Sequence, residues 1–411
     1  MIILLITNYM NTIKKFFIRI YQKILYFFTL FLKIREPKVL IGPEATDNLP
    51  SLLDQLKKKK VLVVTDPTIS SLGLVDPLMT SLVLKRFPFA LFNEVEVNPK
   101  ITTIEKGLKI YLEEECDCVI ALGGGSVMDC AKAIAARSSN LSQSVRDMHG
   151  LLKIRHKLPL LIAIPTTAGT GSEATLAAVV TDEEHQEKYS INDPKLVPEF
   201  AILDFTLLEK LPNHLVATTG MDALTHAVEA YIGRANTPKT RKFALSATKL
   251  IFENITKAAT DGDNISYRSN MQIAAYQAGV AFTRAYVGTV HALAHGLGAF
   301  YNVPHGYANA IILPIVLKKY GHSAIKALSQ LADAVSCPEK ENEIEKAKWF
   351  IAQIENLNKL LGITNRFHDI IKENDIPRLA NHAYKEAIPL YPTPKLFAKK
   401  ELEELYQEIR G

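Results

Sequence analysis

Short apolar runs alternate with amphipathic stretches between residue 37 and about residue 211. Each run has about four to eight residues, is rich in Val, Ile and Leu, and is bounded by Gly, Pro, Asp or Asn, which is typical of buried parallel strands. An antiparallel excursion is predicted from AAVVTDEE (177–184) to EKYSIND (187–193). Strands that alternate with helices predict an α/β layer. The predicted strands are VLVVTD (61–66), ALFNEV (90–95), CVIALGGG (118–125), LLIAIPTT (160–167) and, last, AILDF (201–205).

The pattern changes after LPNHLVATTG (211–220), where helical periods replace the strand-like runs and continue to Gly411. The predicted domain boundary therefore lies near residue 211. It separates an α/β domain at 37–211 from an all-helical domain at 212–411. Both segments have the length of an ordinary domain.

Residues 1–36 form a leader with a pattern of its own. Its apolar residues recur at helical spacing and its polar residues fall mostly on other faces, which predicts a basic amphipathic helix. Charges interrupt any run of about 20 apolar residues, so a transmembrane span is not predicted. Two interpretations stay open: the helix packs on the body or on a second copy in a homodimer, or it lies on an anionic membrane surface. The apolar positions are Ile13, Phe17, Ile20, Ile24, Phe28 and Phe31, and the polar ones are Lys15, Arg19, Gln22 and Lys23.

The leader also accounts for the net charge of the chain. The 411 residues contain 48 Lys plus Arg and 43 Asp plus Glu, a formal charge of +5. Residues 1–35 carry six basic residues and no acidic one, which leaves −1 for the other 376. The body therefore lacks the basic surface that nucleic acid would require. Four cysteines cannot form a disulfide framework, and a reducing, cytoplasmic location is expected.

A glycine-rich turn ends the apolar run CVIALGGG (118–125). Gly123, Gly124, Gly125 and Ser126 lead into VMDCAKAIAA, which has a helical pattern. Glycines let a backbone approach a ligand closely, and the N–H groups of a helix start favour an anion such as a pyrophosphate. The turn matches neither GxGxxG nor GxxxxGK[ST], so a plain strand-to-helix turn is an equal alternative.

A second polar loop favours the ligand interpretation. TTAGTGSEAT (166–175) follows the strand LLIAIP, and two such loops at the carboxyl ends of buried strands suit a ligand crevice in an open α/β sheet. Asp66 ends an earlier strand, where a carboxylate commonly hydrogen-bonds a ribose 2′-hydroxyl and repels a 2′-phosphate, favouring NAD over NADP. An Asp at this place can equally cap a helix or turn.

Histidines concentrate in three short segments of the helical domain. GMDALTHAVEAY (220–231) contains Asp222 and His226 four residues apart, and VHALAHGLGAF contains His291 and His295 at the same spacing. Each pair therefore lies on one face of its helix. Three imidazoles and one carboxylate would bind a divalent transition metal, with Fe²⁺ and Zn²⁺ both acceptable by ligand type. Spacing alone does not show which of five candidates stays outside the ligand set and transfers a proton instead. The candidates are Asp222, His226, His291, His295 and His305.

Together, GGGSVMDCAKAIA, PTTAGTGSEAT, GMDALTHAVEAY and VHALAHGLGAFYNVPHGYANAI resemble the iron-containing (group III) alcohol dehydrogenases. The resemblance runs from about residue 37 to the C-terminus. It implies a Rossmann-like dinucleotide-binding domain for NAD(P), an all-helical metal-binding domain and a cleft between them, an architecture shared with dehydroquinate synthase. The leader lies outside the resemblance.

The resemblance also assigns roles to residues. It implies that Asp222, His226, His291 and His305 are the metal ligands, that the metal is iron, and that His295 is a catalytic residue in the proton relay. It places Asp129 at the nicotinamide side and supports NAD through Asp66. The residues that match its cofactor-binding positions are Asp66, Asn98, Gly124, Gly125, Ser126, Asp129, Thr166, Thr167, Thr170, Ser172 and Lys188.

The implied reaction is reversible oxidation of a primary alcohol to an aldehyde by hydride transfer to NAD, with the metal polarising the substrate oxygen. Two alternatives are a metal- and NAD-dependent lyase of the dehydroquinate synthase type and a catalytically silent metal-binding protein. A lyase of that type needs several basic residues around a phosphorylated substrate, whereas Ala, Leu, Gly and Tyr surround the metal motifs here, with Arg284 the exception.

Three places depart from the family pattern, and one of them is Phe205, which stands where a Pro commonly follows the Asp. Relatives often carry Asn-Pro-Arg near the C-terminus, where this chain has Thr393, Pro394 and Lys395. Many relatives have a small or uncharged residue at the position of Arg284. These departures concern substrate preference rather than the metal or the cofactor.

Overall fold

Nine strands lie in the part of the chain that the computed structural model describes, which is residues 2–261, 264–368 and 370–411, with side chains from residue 13 onward. Six strands form one parallel sheet in the order β1-β9-β6-β4-β2-β3, and three form a smaller sheet in the order β5-β8-β7. The strands are β1 (Lys38–Ile41), β2 (Val61–Val64), β3 (Phe89–Phe92), β4 (Cys118–Gly123), β5 (Gly150–Leu151), β6 (Leu160–Pro165), β7 (Ala177–Asp182), β8 (Glu187–Asn192) and β9 (Phe200–Leu203).

Helices surround the strands in the first half of the chain and make up the second half. Strands β7 and β8 pair in antiparallel fashion, as the sequence predicts. The helices are α1 (Ile2–Phe31), α2 (Leu49–Gln55), α3 (Pro67–Ser71), α4 (Asp76–Leu84), α5 (Ile101–Glu113), α6 (Gly125–Ser138), α7 (Asn213–Ile232), α8 (Pro238–Thr260), α9 (Ile265–Ala285), α10 (Thr289–Tyr301), α11 (His305–Tyr320), α12 (Ile325–Ala334), α13 (Glu343–Leu360), α14 (Ile376–Ala387) and α15 (Lys399–Arg410). The α/β sheet and the helical C-terminal part are confirmed.

The central strands are apolar without alternation because both faces of the parallel sheet are covered. In β2, Leu62 and Val64 pack in one apolar core, whereas Val61 and Val63 pack in the core on the opposite face. This is the physical origin of the continuous apolar runs. Strand β1 lies at the edge of the sheet with its first and last residues exposed. An edge strand of this kind gives no such run, and the sequence analysis did not predict it.

The chain divides into two compact units. The sheet unit comprises Lys33–Pro212 together with Asp261–Thr283, and the helical unit comprises the leader to Leu32, Asn213–Thr260 and Arg284–Gly411. Within the sheet unit, Gln272 of α9 donates from its side chain to the carbonyl of Pro165 at 3.0 Å. No helix in the described residues is long and apolar enough to cross a membrane.

Strand order determines where the polar loops of the sheet unit meet. Strands β6, β4 and β2 are neighbours, and β4 pairs with β6 up to Gly123 opposite Pro165. The N–H of Thr166 then donates to the carbonyl of Gly123 at 3.1 Å. The loops after these parallel strands therefore start side by side, at the carboxyl ends of the strands.

Candidate metal centre and cofactor-binding loops

Four of the five candidate metal residues converge in the helical unit. Asp222, His226, His291 and His305 each offer one ligand atom, and all four atoms lie within 4.8 Å of one another. Nε2 of His305 is 3.5 Å from Oδ1 of Asp222, and Nε2 of His291 is 3.8 Å from the same oxygen. Ligands at about 2.1 Å around one tetrahedral ion stand roughly 3.4 Å apart, so this spacing suits a single ion.

Three helices supply these side chains. Asp222 and His226 lie one turn apart on α7, His291 lies on α10, and His305 begins α11. Gly306 allows α11 to approach α7, because a Cβ there would stand 2.3 Å from the carbonyl oxygen of Thr218. Any larger residue would push His305 away from the other three side chains.

The donor set fits a divalent transition metal. Asp222, His226 and His291 are almost fully buried. Burial lowers the pKa of His291 well below its ordinary value, and the neighbouring His226 contributes a smaller shift in the same direction. Neutral imidazole is the form that binds a metal. A buried carboxylate needs a compensating cation, which a divalent ion would provide.

Glu229 orients one of these histidines. Its Oε2 accepts hydrogen bonds from Nδ1 of His291 and from the N–H of Gly288, both at 2.7 Å, and its Oε1 accepts from the N–H of Val290 at 2.8 Å. Burial raises the pKa of Glu229 to about 7 even though backbone donors oppose this shift. With Nδ1 turned to Glu229, the Nε2 of His291 faces Asp222.

Asn309 stands at the centre of the same cluster. Its side-chain Nδ2 donates to Oδ1 of Asp222 at 2.7 Å and lies 3.1 Å from Nε2 of His305 and 3.3 Å from Nε2 of His291. The side chain is fully buried. Asn309 therefore holds Asp222 in a fixed orientation toward the two imidazoles.

The fifth candidate, His295, has different neighbours. Its ring stacks on that of His305 with 5.0 Å between centroids, while its Nδ1 lies 2.6 Å from Oε1 of Glu386. The hydroxyl of Tyr391 donates to the same oxygen at 2.9 Å. Burial raises the pKa of Glu386, but His295 and these hydrogen bonds outweigh it, and the net shift is downward. His295 is thus beside the cluster and outside the set of four.

In the sheet unit, the glycine-rich turn opens helix α6. Gly124 is the N-cap residue, and a Cβ on it would meet no protein atom nearer than the Thr167 side chain at 3.7 Å. A Cβ on Gly125 would stand 3.0 Å from Cγ2 of Thr170. The space beside Gly124 is therefore open, and the close approach at Gly125 brings the two polar loops into contact.

A buried polar cluster fixes the second loop. Asp129 accepts hydrogen bonds from the hydroxyl of Ser172 and the N–H of Val179, both at 3.1 Å. Lys132 donates to the backbone oxygens of Ser172, Thr175 and Ala177 and to both hydroxyls, at 2.8–3.1 Å. Burial raises the pKa of Asp129 to about 6 and lowers that of Lys132 to about 8. The sequence analysis missed Lys132. Its position among the small apolar residues of VMDCAKAIAA could have indicated a buried lysine.

Three further cofactor candidates form one hydrogen-bonded group. Nζ of Lys188 donates to Oδ1 of Asn98 at 2.6 Å, and the N–H of Asn98 donates to the hydroxyl of Ser126 at 3.3 Å. Asn98 has a positive φ of 57°, a conformation that Asn tolerates better than most residues. Positions far apart in the sequence thus meet at the first loop.

Asp66 caps helix α3, since its Oδ1 accepts from the N–H of Ile69 at 2.8 Å. This is the capping role that the sequence left open. Strand β2, which precedes Asp66, lies next to β4. The Asp66 carboxylate and the glycine-rich turn therefore both lie at the carboxyl ends of neighbouring strands.

Sequence reasoning missed four other residues of the helical unit. Glu229 and Asn309 follow His226 by three and His305 by four, spacings that place each on the face of a candidate ligand. Glu386 and Tyr391 gave no such signal, because they lie about ninety residues from His295 in the chain.

Comparison with known proteins gives a consistent result. The family model described as iron-containing alcohol dehydrogenase matches residues 36–205, and the C-terminal model of the Fe-containing alcohol dehydrogenase family matches 216–410. The chain is 35% identical to NAD-dependent methanol dehydrogenase of Bacillus methanolicus over 359 residues, 85% of this chain and 92% of the relative. It is 35% identical to 1,3-propanediol dehydrogenase of Citrobacter freundii over 374 residues, 89% and 95% of the two chains. A crystal structure of 1,3-propanediol oxidoreductase is similar with a TM-score of 0.89 at 34% identity, covering 92% of this chain and 100% of that one.

Proposed function

Because the chain belongs to the iron-containing alcohol dehydrogenase family, we propose that it oxidises a primary alcohol reversibly to an aldehyde with NAD as the hydride acceptor. The resemblance seen in the sequence is confirmed by both family matches. The observation that carries the proposal is the convergence of Asp222, His226, His291 and His305 within 4.8 Å. We take these four as the ligands of a divalent ion, with Fe²⁺ expected and Zn²⁺ acceptable to the same donors.

When bound, the ion supplies the Lewis acidity that lowers the pKa of an alcohol and polarises an aldehyde carbonyl. The protein's part is to prepare the ligands. Glu229 accepts a hydrogen bond from Nδ1 of His291, which keeps the ring proton at Nδ1 and presents Nε2 to the site. Burial lowers the pKa of His291 and keeps this imidazole neutral. Asn309 orients Asp222 by donating to Oδ1, the carboxylate oxygen that faces Nε2 of His291 and of His305.

We assign proton transfer to His295. Its Nδ1 is 2.6 Å from Glu386, so a proton at Nδ1 is held by the carboxylate and Nε2 is the nitrogen that exchanges a proton with the substrate side. Tyr391 keeps Glu386 in place from the other side. The side chain of His295 is 38% exposed, which gives the proton a route to solvent.

For NAD, we propose that the backbone N–H groups of Gly124, Gly125 and Ser126 hold the pyrophosphate at the start of α6. Asp129 and the loop side chains of Thr166, Thr167, Thr170 and Ser172 are proposed to bind the nicotinamide half, and Asn98 and Lys188 to hold the adjoining sugar and phosphate groups. Asp66 would accept from the adenosine ribose and disfavour a 2′-phosphate.

Short primary alcohols are the proposed substrates, since the relatives described above act on methanol and 1,3-propanediol. A cytoplasmic location is proposed because four cysteines in 411 residues are too few for a disulfide framework. The test is NADH formation by anaerobically purified protein with a panel of short alcohols, before and after chelation and again after Fe²⁺ or Zn²⁺ is added. No metal-dependent change with any alcohol or aldehyde would favour the lyase or the silent metal-binding protein.

A further inference from the structure

The leader helix α1 packs on the helical unit through its polar side. The buried side chain of Gln22 donates from Nε2 to the carbonyls of Pro389 and Tyr391, both at 2.8 Å. Arg19 donates to the carbonyl of Pro394 at 3.1 Å. An amphipathic helix on a globular protein normally turns its apolar face to the core. Helix α1 is oriented the opposite way.

A second contact holds the C-terminal end of α1. Arg284 donates to the carbonyls of Thr29 at 2.9 Å and Leu32 at 3.2 Å, which are among the acceptors left open at a helix end. A cation there is also favoured by the helix dipole. Arg284 and the segment Thr393–Lys395 are two of the three departures from the family pattern. Arg284 therefore holds the end of α1, and the backbone carbonyl of Pro394 in the second segment accepts from Arg19.

This orientation leaves an apolar face exposed. Five phenylalanines on α1 are 58–70% exposed, and together they present roughly 600 Å² if an aromatic side chain offers about 200 Å². That alone equals the largest apolar patch of a typical monomer, about 300–600 Å². Aliphatic and tyrosine side chains widen the face. It is formed by Ile13, Phe16, Phe17, Ile20, Tyr21, Ile24, Phe27, Phe28 and Phe31.

Basic residues border this face. At about 100° per residue, Lys14 and Lys23 fall on its two edges, and both are exposed. Residues 1–35 contain no acidic side chain. A symmetric pairing of two such helices would provide no leader carboxylate to neutralise these lysines. An anionic lipid surface provides an apolar layer for the phenylalanines and negative headgroups for the lysines.

We propose that α1 lies in the surface of an anionic lipid bilayer and thereby attaches the enzyme to it. The helix would lie parallel to the membrane plane, with the phenylalanines among the acyl chains and the lysines at the headgroups. The polar side stays on the protein through Gln22, Arg19 and Arg284. This proposal does not depend on the alcohol chemistry, because none of the candidate metal or cofactor residues belongs to α1.

The test is flotation of the metal-loaded full-length protein with lipid vesicles. We expect it to float with vesicles of phosphatidylcholine plus phosphatidylglycerol, and to remain unbound with phosphatidylcholine alone or in high salt. The double variant F17S/F28S should bind at least about tenfold more weakly, because two large apolar groups no longer enter the bilayer. The variant V83S/L84S removes two exposed apolar side chains from α4 in the sheet unit and should bind as the parent does.

A charge-reversal variant covers the case in which F17S/F28S folds poorly. K14E/K23E reverses the two exposed lysines at the edges of the face and should weaken binding to the anionic vesicles by about tenfold or more, with the helix content of the parent retained by circular dichroism. Equal binding to neutral and anionic vesicles, or no binding to either, would overturn the proposal. It would also be overturned if light scattering showed a dimer that F17S/F28S converts to a monomer, since a second copy would then cover the face.

Discussion

Oε2 of Glu229 accepts a hydrogen bond from Nδ1 of His291 at 2.7 Å, and both side chains are buried. This contact decides which nitrogen of His291 faces Asp222. Carboxylates that hold a ligand histidine in this way raise its basicity and fix its orientation. The contact therefore links a residue that is not a ligand to the strength of metal binding.

Replacing Glu229 should weaken the metal site. In Glu229→Gln, an amide NH₂ replaces one oxygen and faces an N–H donor of Gly288, Val290 or His291, so metal affinity should fall about 10–100-fold. Chelator competition measures this directly. Glu386→Gln is the matched control, because Glu386 contacts His295 rather than a proposed ligand; it should lower turnover and leave metal affinity unchanged. Equal metal loss in both variants would contradict the assignment.

His291 and His295 lie one turn apart on α10, yet their replacement should have different results. His291→Ala should lose both metal and activity, because it removes one of four proposed ligands. His295→Ala should retain metal and lower kcat by about 100-fold or more, the usual size of a general acid–base contribution. Metal analysis alongside steady-state kinetics separates the two. Metal loss in His295→Ala would show that His295 belongs to the ligand set.

The turn at Gly124 offers a test of the cofactor site. A methyl group at this position meets only Thr167 at 3.7 Å, so Gly124→Ala should fold with an unchanged melting temperature. If the pyrophosphate lies against this backbone, the methyl group occupies its space and the KM for NAD should rise about tenfold or more, with metal content unaltered. An unchanged KM would mean that the turn serves only the fold.

Cofactor preference can be separated from helix capping at Asp66. Asn is as good an N-cap as Asp, so Asp66→Asn should keep the bond to the N–H of Ile69 and the stability of the protein. It removes the negative charge that would repel a 2′-phosphate. The ratio of kcat/KM for NADP over NAD should therefore rise about tenfold. If the ratio stays the same, capping is the whole role of Asp66.

Much of the fold could be predicted from the sequence because the burial of each strand or helix face shows directly in the order of apolar and polar residues. Strand β2 is apolar at every position since both of its faces are covered, whereas edge strand β1 is half-exposed and gave no signal. Asp222 and His226 were found from their spacing on one helix turn. Glu386 could not be found in this way, because only the folding of α14 against α10 brings it to His295. The role of Arg284 likewise depends on a leader some 250 residues earlier in the chain.

The most direct test of the central claim is metal reconstitution. Protein freed of metal by a chelator is supplied anaerobically with Fe²⁺, and NADH absorbance is followed with NAD and a short primary alcohol. We predict no NADH formation without metal, recovery with about one Fe²⁺ per chain, and no recovery in His291→Ala. NADH formation that is indifferent to chelation, or none after one ion has bound, would contradict the assignment of Asp222, His226, His291 and His305 as the centre of a dehydrogenase.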